Sequence, residues 1–165
     1  MQKKYVMFFI ALVLAVGLDQ GSKIWARAHL KPIYPESQVV VPGYFDMRYS
    51  ENPGSAFSLF GHMEGARWLL LLVGIGALGV VGRYLYLAPG PAGRMGGELG
   101  LLAGGALGNM IDRAMMGRVT DFIVWKVAGH EWPTFNIADA ALVIGVAGLL
   151  IDTLPQKQNT QTKDA

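Results

Sequence analysis

The sequence predicts a membrane all-α bundle of four transmembrane helices carrying a small β-rich extracytoplasmic loop. Three observations predict it. Of 165 residues, 52% are hydrophobic and 16% charged, against about 25% charged in ordinary soluble domains, and mean hydropathy is +0.34. The apolar residues gather in blocks instead of spreading through the chain. Between the first two blocks, "SQVVVPGYFDMRYS" clusters β-formers around a Pro-Gly turn, the pattern of a small sheet.

A bilayer core about 30 Å thick needs roughly 20 apolar residues of helix. The first block, 5–28, opens with "YVMFFIALVLAVGL" and continues through Asp19 and Lys23. Lys3 and Lys4 before an apolar stretch also suit a cleaved signal peptide. No small-x-small cleavage site follows, and polar residues continue at helical spacing, which favours a membrane helix. The first outer loop, 29–65, is long and apolar enough to be structured instead of passive. The second block, 66–87, is joined to the third, 95–115, by "LAPGPAG", a tight turn of helix breakers. Gly96, Gly100, Gly104 and Gly108 form a small-xxx-small ridge on the third block, expected to let helices approach closely. A second outer loop, 116–135, precedes the fourth block, 136–154. All of this is expected to be one domain, 1–165.

Four spans put both termini on one side. Lys3, Lys4, Arg83, Arg94, Lys157 and Lys163 then share short flanks, the side that is cytoplasmic by the positive-inside rule. Arg27, Lys31, Arg48, Arg118 and Lys126 lie opposite and soften the signal. The net charge of +2 gives no basis for a nucleic-acid partner. Cysteine is absent, which removes disulfides, thiol catalysis and thiolate metal sites.

Asp19, Lys23, Asn109, Asp112, Arg113, Asp121, Asn136 and Asp139 lie in or near the spans, all toward their outer ends. Charged groups at membrane depth are costly and face a bundle interior or a wet cavity. Asp19 and Lys23, at i and i+4, can pair on one helical face. Of the neighbours Asp112 and Arg113, one is expected to point inward. Asn136 suits an N-cap of the fourth helix, and Asp139 the positive dipole end of its first turn. Asp121, ahead of the apolar "FIVW", has no such structural explanation. Two carboxylates in one partly buried site share a proton, and one can then take a proton from water while the other donates.

Competing chemistries are weaker. His29, His62 and His130 lack metal-ligand spacing and no H-E-x-x-H occurs, so neither a metal nor another cofactor is expected. A serine–lysine dyad on Lys23 needs a serine, and adjacent Ser22 cannot share its helical face; Ser50, Ser55 and Ser58 remain open. A transporter would carry acids through both leaflets, whereas the inner halves of the later spans hold only Glu98 and Asp152 near their ends.

Five blocks go further: "DQGSK" (19–23), "ENPGSAF" (51–57), "GNMIDR" (108–113), "GRVTDFI" (117–123) and "FNIADAAL" (135–142). In this order they resemble bacterial lipoprotein signal peptidase, signal peptidase II, over nearly the whole chain outside its tails. Pro53 and Thr120 are minor departures. The resemblance implies an intramembrane aspartic endopeptidase of the bacterial inner membrane. Such an enzyme removes signal peptides from diacylglyceryl-modified prolipoproteins, cutting on the N-terminal side of the lipidated cysteine. It maps the catalytic pair onto Asp121 and Asp139. It marks Asp19, Lys23, Asn52, Gly54, Asn109, Arg113, Asn136 and Ala138 as substrate-binding or supporting positions. It also implies a β-cradle with a short helix over the site, contact with membrane lipid, and inhibition by globomycin-type compounds.

Overall fold

The computed structural model describes residues 3–54, 65–90 and 92–153. Four long helices form a bundle: α1 (Lys3–His29), α2 (Ala66–Leu87), α3 (Gly93–Met116) and α4 (Ile137–Thr153). Each boundary has a local cause. Pro32 follows α1 and disfavours helix in the residue before it. Pro89 and Gly90 follow α2, and Lys4 Nζ donates to the Ala88 carbonyl at 2.5 Å, tying the start of α1 to that turn. α3 stops at Gly117, whose φ of 78° and N–H bond to the Arg113 carbonyl at 3.0 Å close the helix in the left-handed manner glycine permits.

α3 is the central helix and packs against α1, α4 and α2. Its glycine ridge faces α1. A Cβ on Gly96 or Gly100 would collide with the carbonyl oxygens of Lys4 or Phe8, and one on Gly104 would meet Ala15 Cβ at 2.6 Å. Backbone therefore lies directly against backbone, as the spacing predicts. An apolar cluster of Phe8, Leu85, Leu99 and Ala103 fills the end away from the sheet.

The outward faces are apolar as well. Val13, Leu18, Leu72, Val80, Val143 and Leu150 are all well exposed. Apolar surface on this scale, ringing a bundle, needs a lipid environment instead of water. α1 with its following turn (Lys3–Ile33) and α2 are each long and apolar enough to cross a bilayer. α3 owes its lower hydropathy to its glycines and to polar groups turned inward. α4 has 17 described residues, about 26 Å of helix.

Four strands form one antiparallel sheet in the order β1 (Gln38–Val41), β2 (Phe45–Asn52), β3 (Val119–Val127) and β4 (His130–Glu131). β1 and β2 turn at Pro42 and Gly43, as expected. β3 belongs to the second outer loop, and its pairing with β2 joins the two loops. Ala26, Leu30, Tyr49 and Phe122 pack beneath it. The sheet thus sits on the ends of α1 and α3 and the starts of α2 and α4. In the described part of the first outer loop the one helical element is a 3₁₀ turn, Lys31–Ile33. Residues 55–64, with Ser55, Ser58 and His62, and the flank lysines Lys157 and Lys163 lie outside the described residues, so the expected short helix over the site is not located.

Candidate active site

Where the sheet meets the bundle, β2, β3, α1, α3 and α4 bring one polar cluster together. Asp121 enters from β3 and is almost wholly buried. Its Oδ1 accepts from Asn136 Nδ2 at 2.6 Å and its Oδ2 from Asn52 Nδ2 at 3.3 Å. Asn52 ends β2 and is itself fixed by the Gly54 N–H, which donates to its Oδ1 at 2.9 Å. Gly54 has a φ of 111°, a conformation that favours glycine.

Asp139 enters from the first turn of α4. Its Oδ1 accepts from Asn109 Nδ2 at 2.8 Å, and its Oδ2 from the Asn136 N–H at 3.2 Å. The Asp139 N–H returns a bond to Asn136 Oδ1 at 3.0 Å. This reciprocal pair is a capping box with aspartate in the acidic position. Asn136 therefore caps the helix with its carbonyl oxygen and binds Asp121 with its amide. The capping and site roles are carried by opposite ends of one side chain. Its amide nitrogen also reaches Asn109 Oδ1 at 3.2 Å.

Beneath this layer lies a buried ionic one. Asp19 and Lys23 pair at 2.9 Å with both side chains inaccessible. Lys23 Nζ also donates to Asn109 Oδ1 at 3.0 Å and approaches Asp112 at 3.5 Å. Asp19 Oδ1 accepts the Ala138 N–H at 2.9 Å, satisfying one of the donors left open at a helix start. A Cβ at Gly108 would run into the Asp19 carboxylate and meet Ala138 Cβ at 3.3 Å, so this packing requires glycine there. Arg113 donates to the Asn109 carbonyl at 3.4 Å, and its Nε is buried without a partner among the described residues.

Burial, and secondarily the nearby charge of Asp139, push the Asp121 carboxyl up to about 6; hydrogen bonds from Asn136 and Asn52 and the charge of Lys23 oppose the shift. Beside Asp139 opens an apolar groove of about 500 Å³ lined by Trp125, Trp132, Phe135, Val143 and Ile144. The arrangement offers two carboxylates with amide donors around them and a greasy trough alongside.

A family description, "Signal peptidase (SPase) II", matches residues 10–155. The chain belongs to the signal peptidase II family. It is 36% identical to the lipoprotein signal peptidase of Xanthomonas euvesicatoria over 157 residues, covering 94% of this chain and 90% of that protein. It is 40% identical to that of Gloeobacter violaceus over 163 residues, covering 97% and 88%. Two solved bacterial membrane enzymes, determined by the in meso method, share its fold. One has a TM-score of 0.82 at 30% identity over 100% of this chain and 99% of the other. The second has a TM-score of 0.84 at 31% identity over 94% and 99%.

All ten positions marked by resemblance to signal peptidase II fall in or against this one cluster. Sequence reasoning left open which of Asp112 and Arg113 turns inward and gave no site role to Arg27 or Gln20, which join the same network. Asp112, not Arg113, is the fully inward neighbour. Its Oδ2 accepts the Thr120 N–H at 2.9 Å, and Arg27 bridges it at 3.6 Å while donating to Thr120 Oγ1 at 2.9 Å. Asp112 and Arg27 thus grip the residue next to Asp121. Gln20 adds bonds to Asp19 at 3.0 Å and Asp112 at 3.4 Å. The available signal was spacing: Arg27 continues the Asp19–Lys23 stripe by one more turn, and Asp112 follows Gly108 by four. Ser22 is spent on the Asp19 carbonyl at 2.9 Å, and Lys23 makes no hydrogen bond to a serine among the described residues.

Proposed function

We propose that this signal peptidase II family member is an aspartic endopeptidase that cleaves diacylglyceryl-modified prolipoproteins on the N-terminal side of the lipidated cysteine. The observation that carries the reading is the meeting of Asp121 and Asp139 in one buried cluster, cross-linked by Asn136. Asp121, a carboxyl that burial keeps protonated up toward neutral pH, donates to the scissile carbonyl oxygen. Asp139 takes a proton from water as the water oxygen bonds to the carbonyl carbon. The tetrahedral centre then collapses: one hydroxyl returns its proton to Asp121 as the carbonyl re-forms, the C–N bond breaks, and the departing cysteine amine takes the proton held by Asp139. Such a division of labour follows from two carboxylates holding one proton. Asn52, Asn109 and Arg113 have donors available for an extended peptide, and the groove beside Asp139 suits an apolar substrate segment.

The same reading places the enzyme in the bacterial inner membrane as a single domain crossing it four times. Its termini are cytoplasmic, and its sheet forms a cradle at the extracytoplasmic face. Membrane lipid surrounds it, nucleic acid plays no part, and globomycin-type compounds compete for the site. The decisive assay is cleavage of a diacylglyceryl precursor by purified protein. Asp121→Asn and Asp139→Asn should each lower turnover by about 10² to 10⁴, and the double variant should be little worse than either. Robust cleavage by either well-folded single variant would overturn the mechanism.

A further inference from the structure

A second cavity, of about 450 Å³, opens on the sheet away from the apolar groove and is lined by Lys31, Tyr34, Tyr49, Ser50, Glu51 and Arg118. Glu51 is its pivot. Its Oε1 accepts from Tyr49 at 2.6 Å and Lys31 at 3.2 Å, and its Oε2 from Arg118 at 2.6 Å. These donors hold the carboxyl down at about 2, against partial burial, so it stays charged and fixes both cations across the opening. Each cation keeps donors in reserve, since lysine has three and arginine five. Both side chains remain more than half exposed, at 57% and 55%. Lys31 also lies 5.4 Å from the centre of the Tyr49 ring, a cation–π contact that steadies it.

A second ionic cluster on the sheet makes the contrast. Lys126 pairs with Asp46 at 2.5 Å and Glu131 at 3.4 Å, and Arg48 pairs with Glu131 at 2.9 Å. There two cations meet two acids. Around the cavity, among the described residues, two cations meet one. Position matters equally. Lys31 follows the end of α1 by two residues and Arg118 the end of α3 by two, so both stand where lipid-facing helix gives way to water.

We propose that the cavity between Lys31 and Arg118 binds a phosphate group, supplied by the headgroup of an anionic phospholipid. The arginine fork and the lysine ammonium take the phosphate oxygens, and the Tyr34 and Ser50 hydroxyls supply donors for a glycerol headgroup. The cavity is larger than a bare ion needs. This site shares no lining residue with the Asp121–Asp139 cluster, although Ser50 pairs with Asp121 across the sheet, and it rests on the reading that the sheet end lies at a membrane surface.

The test is native mass spectrometry of the full chain released from micelles holding equal phosphatidylglycerol and phosphatidylcholine. Wild type should retain phosphatidylglycerol preferentially. The double variant Lys31→Gln/Arg118→Gln should lose that preference by on the order of ten- to thirtyfold, with an unchanged melting temperature. Lys31→Arg/Arg118→Lys should restore most of it, and Lys126→Gln should keep it. A parallel arm offers glycerol 3-phosphate without the lipid. A Lys31- and Arg118-dependent adduct there would uphold the phosphate site and overturn its lipid source. Equal retention of both lipids by wild type, or of phosphatidylglycerol by wild type and the Gln variant, would overturn the site while leaving the peptidase reading intact. Failure to retain any lipid would instead count against the membrane-surface reading as well.

Discussion

Asp121 keeps its proton to about pH 6 where an ordinary aspartate loses it near 3.8, and this has a consequence for folding. Below the lower value both folded and unfolded chains hold the proton. Between the two, the folded chain alone holds it, so stability falls as pH rises through that window and levels off above it. A shift of this size corresponds to about 3 kcal/mol. The melting temperature of detergent-solubilised protein should therefore carry a declining component from about pH 4 to about pH 6. Asp121→Asn should remove that component, and an unchanged slope in the variant would show that Asp121 is not the buried proton holder. Asn136 is the other decisive residue at this scale. Without its amide, Asp121 would lose its shortest hydrogen bond, and without its carbonyl oxygen α4 would lose its cap, which is typically worth about 1 kcal/mol.

Helices were the legible elements. Expected spans of 5–28, 66–87 and 95–115 differ by at most two residues at either end from α1, α2 and α3, because prolines and glycines punctuate each boundary. The glycine ridge was legible too, since a four-residue spacing of small residues has one geometric use in a bundle. Gly100→Ala should push α1 off α3 at the Phe8 carbonyl and cost roughly 1–3 kcal/mol, the usual range for overpacking. Gly79→Ala on α2, where nothing lies within 4 Å of the added atom, should be neutral or gain up to about 1 kcal/mol in helix propensity. Thermal melts of the two variants decide it, and equal losses would mean the ridge is not an interface. β3 was not legible as a strand. Its first four residues are all buried, because one face meets the bundle and the other the rest of the site, so the alternation that marks a half-exposed strand is missing. β4, two residues long, offers no period at all. The aspartate pair could be read because carboxylates beside apolar runs demand an explanation. The Asp112–Arg27 grip on Thr120 was legible only in part: spacing from Gly108 and Lys23 puts Asp112 and Arg27 on the inward faces of their helices, but that Thr120 meets them depends on β3 folding back against α3.

Across the whole molecule, one end of the bundle carries the sheet, the polar cluster and both cavities. In the topology proposed above, that end lies outside the cell. The chain's lack of cysteine makes this directly measurable. Glu36→Cys and His130→Cys should react in intact cells with an impermeant thiol reagent, whereas Pro89→Cys should react only after lysis. The reverse pattern would put the site on the cytoplasmic side and defeat the peptidase assignment. The start of α4 has a particular standing in this assembly. Its Ala138 amide is held by Asp19 of α1, its Asp139 carboxylate by Asn109 of α3, and its cap Asn136 holds Asp121 of β3. The bonds that begin the helix are thus the bonds that assemble the site. Unwinding that first turn and dispersing the carboxylates are one thermodynamic event with one opening free energy. Amide hydrogen exchange at Ala138, Asp139 and Ala140 therefore reports, without any substrate, the fraction of molecules in which the two aspartates stand together.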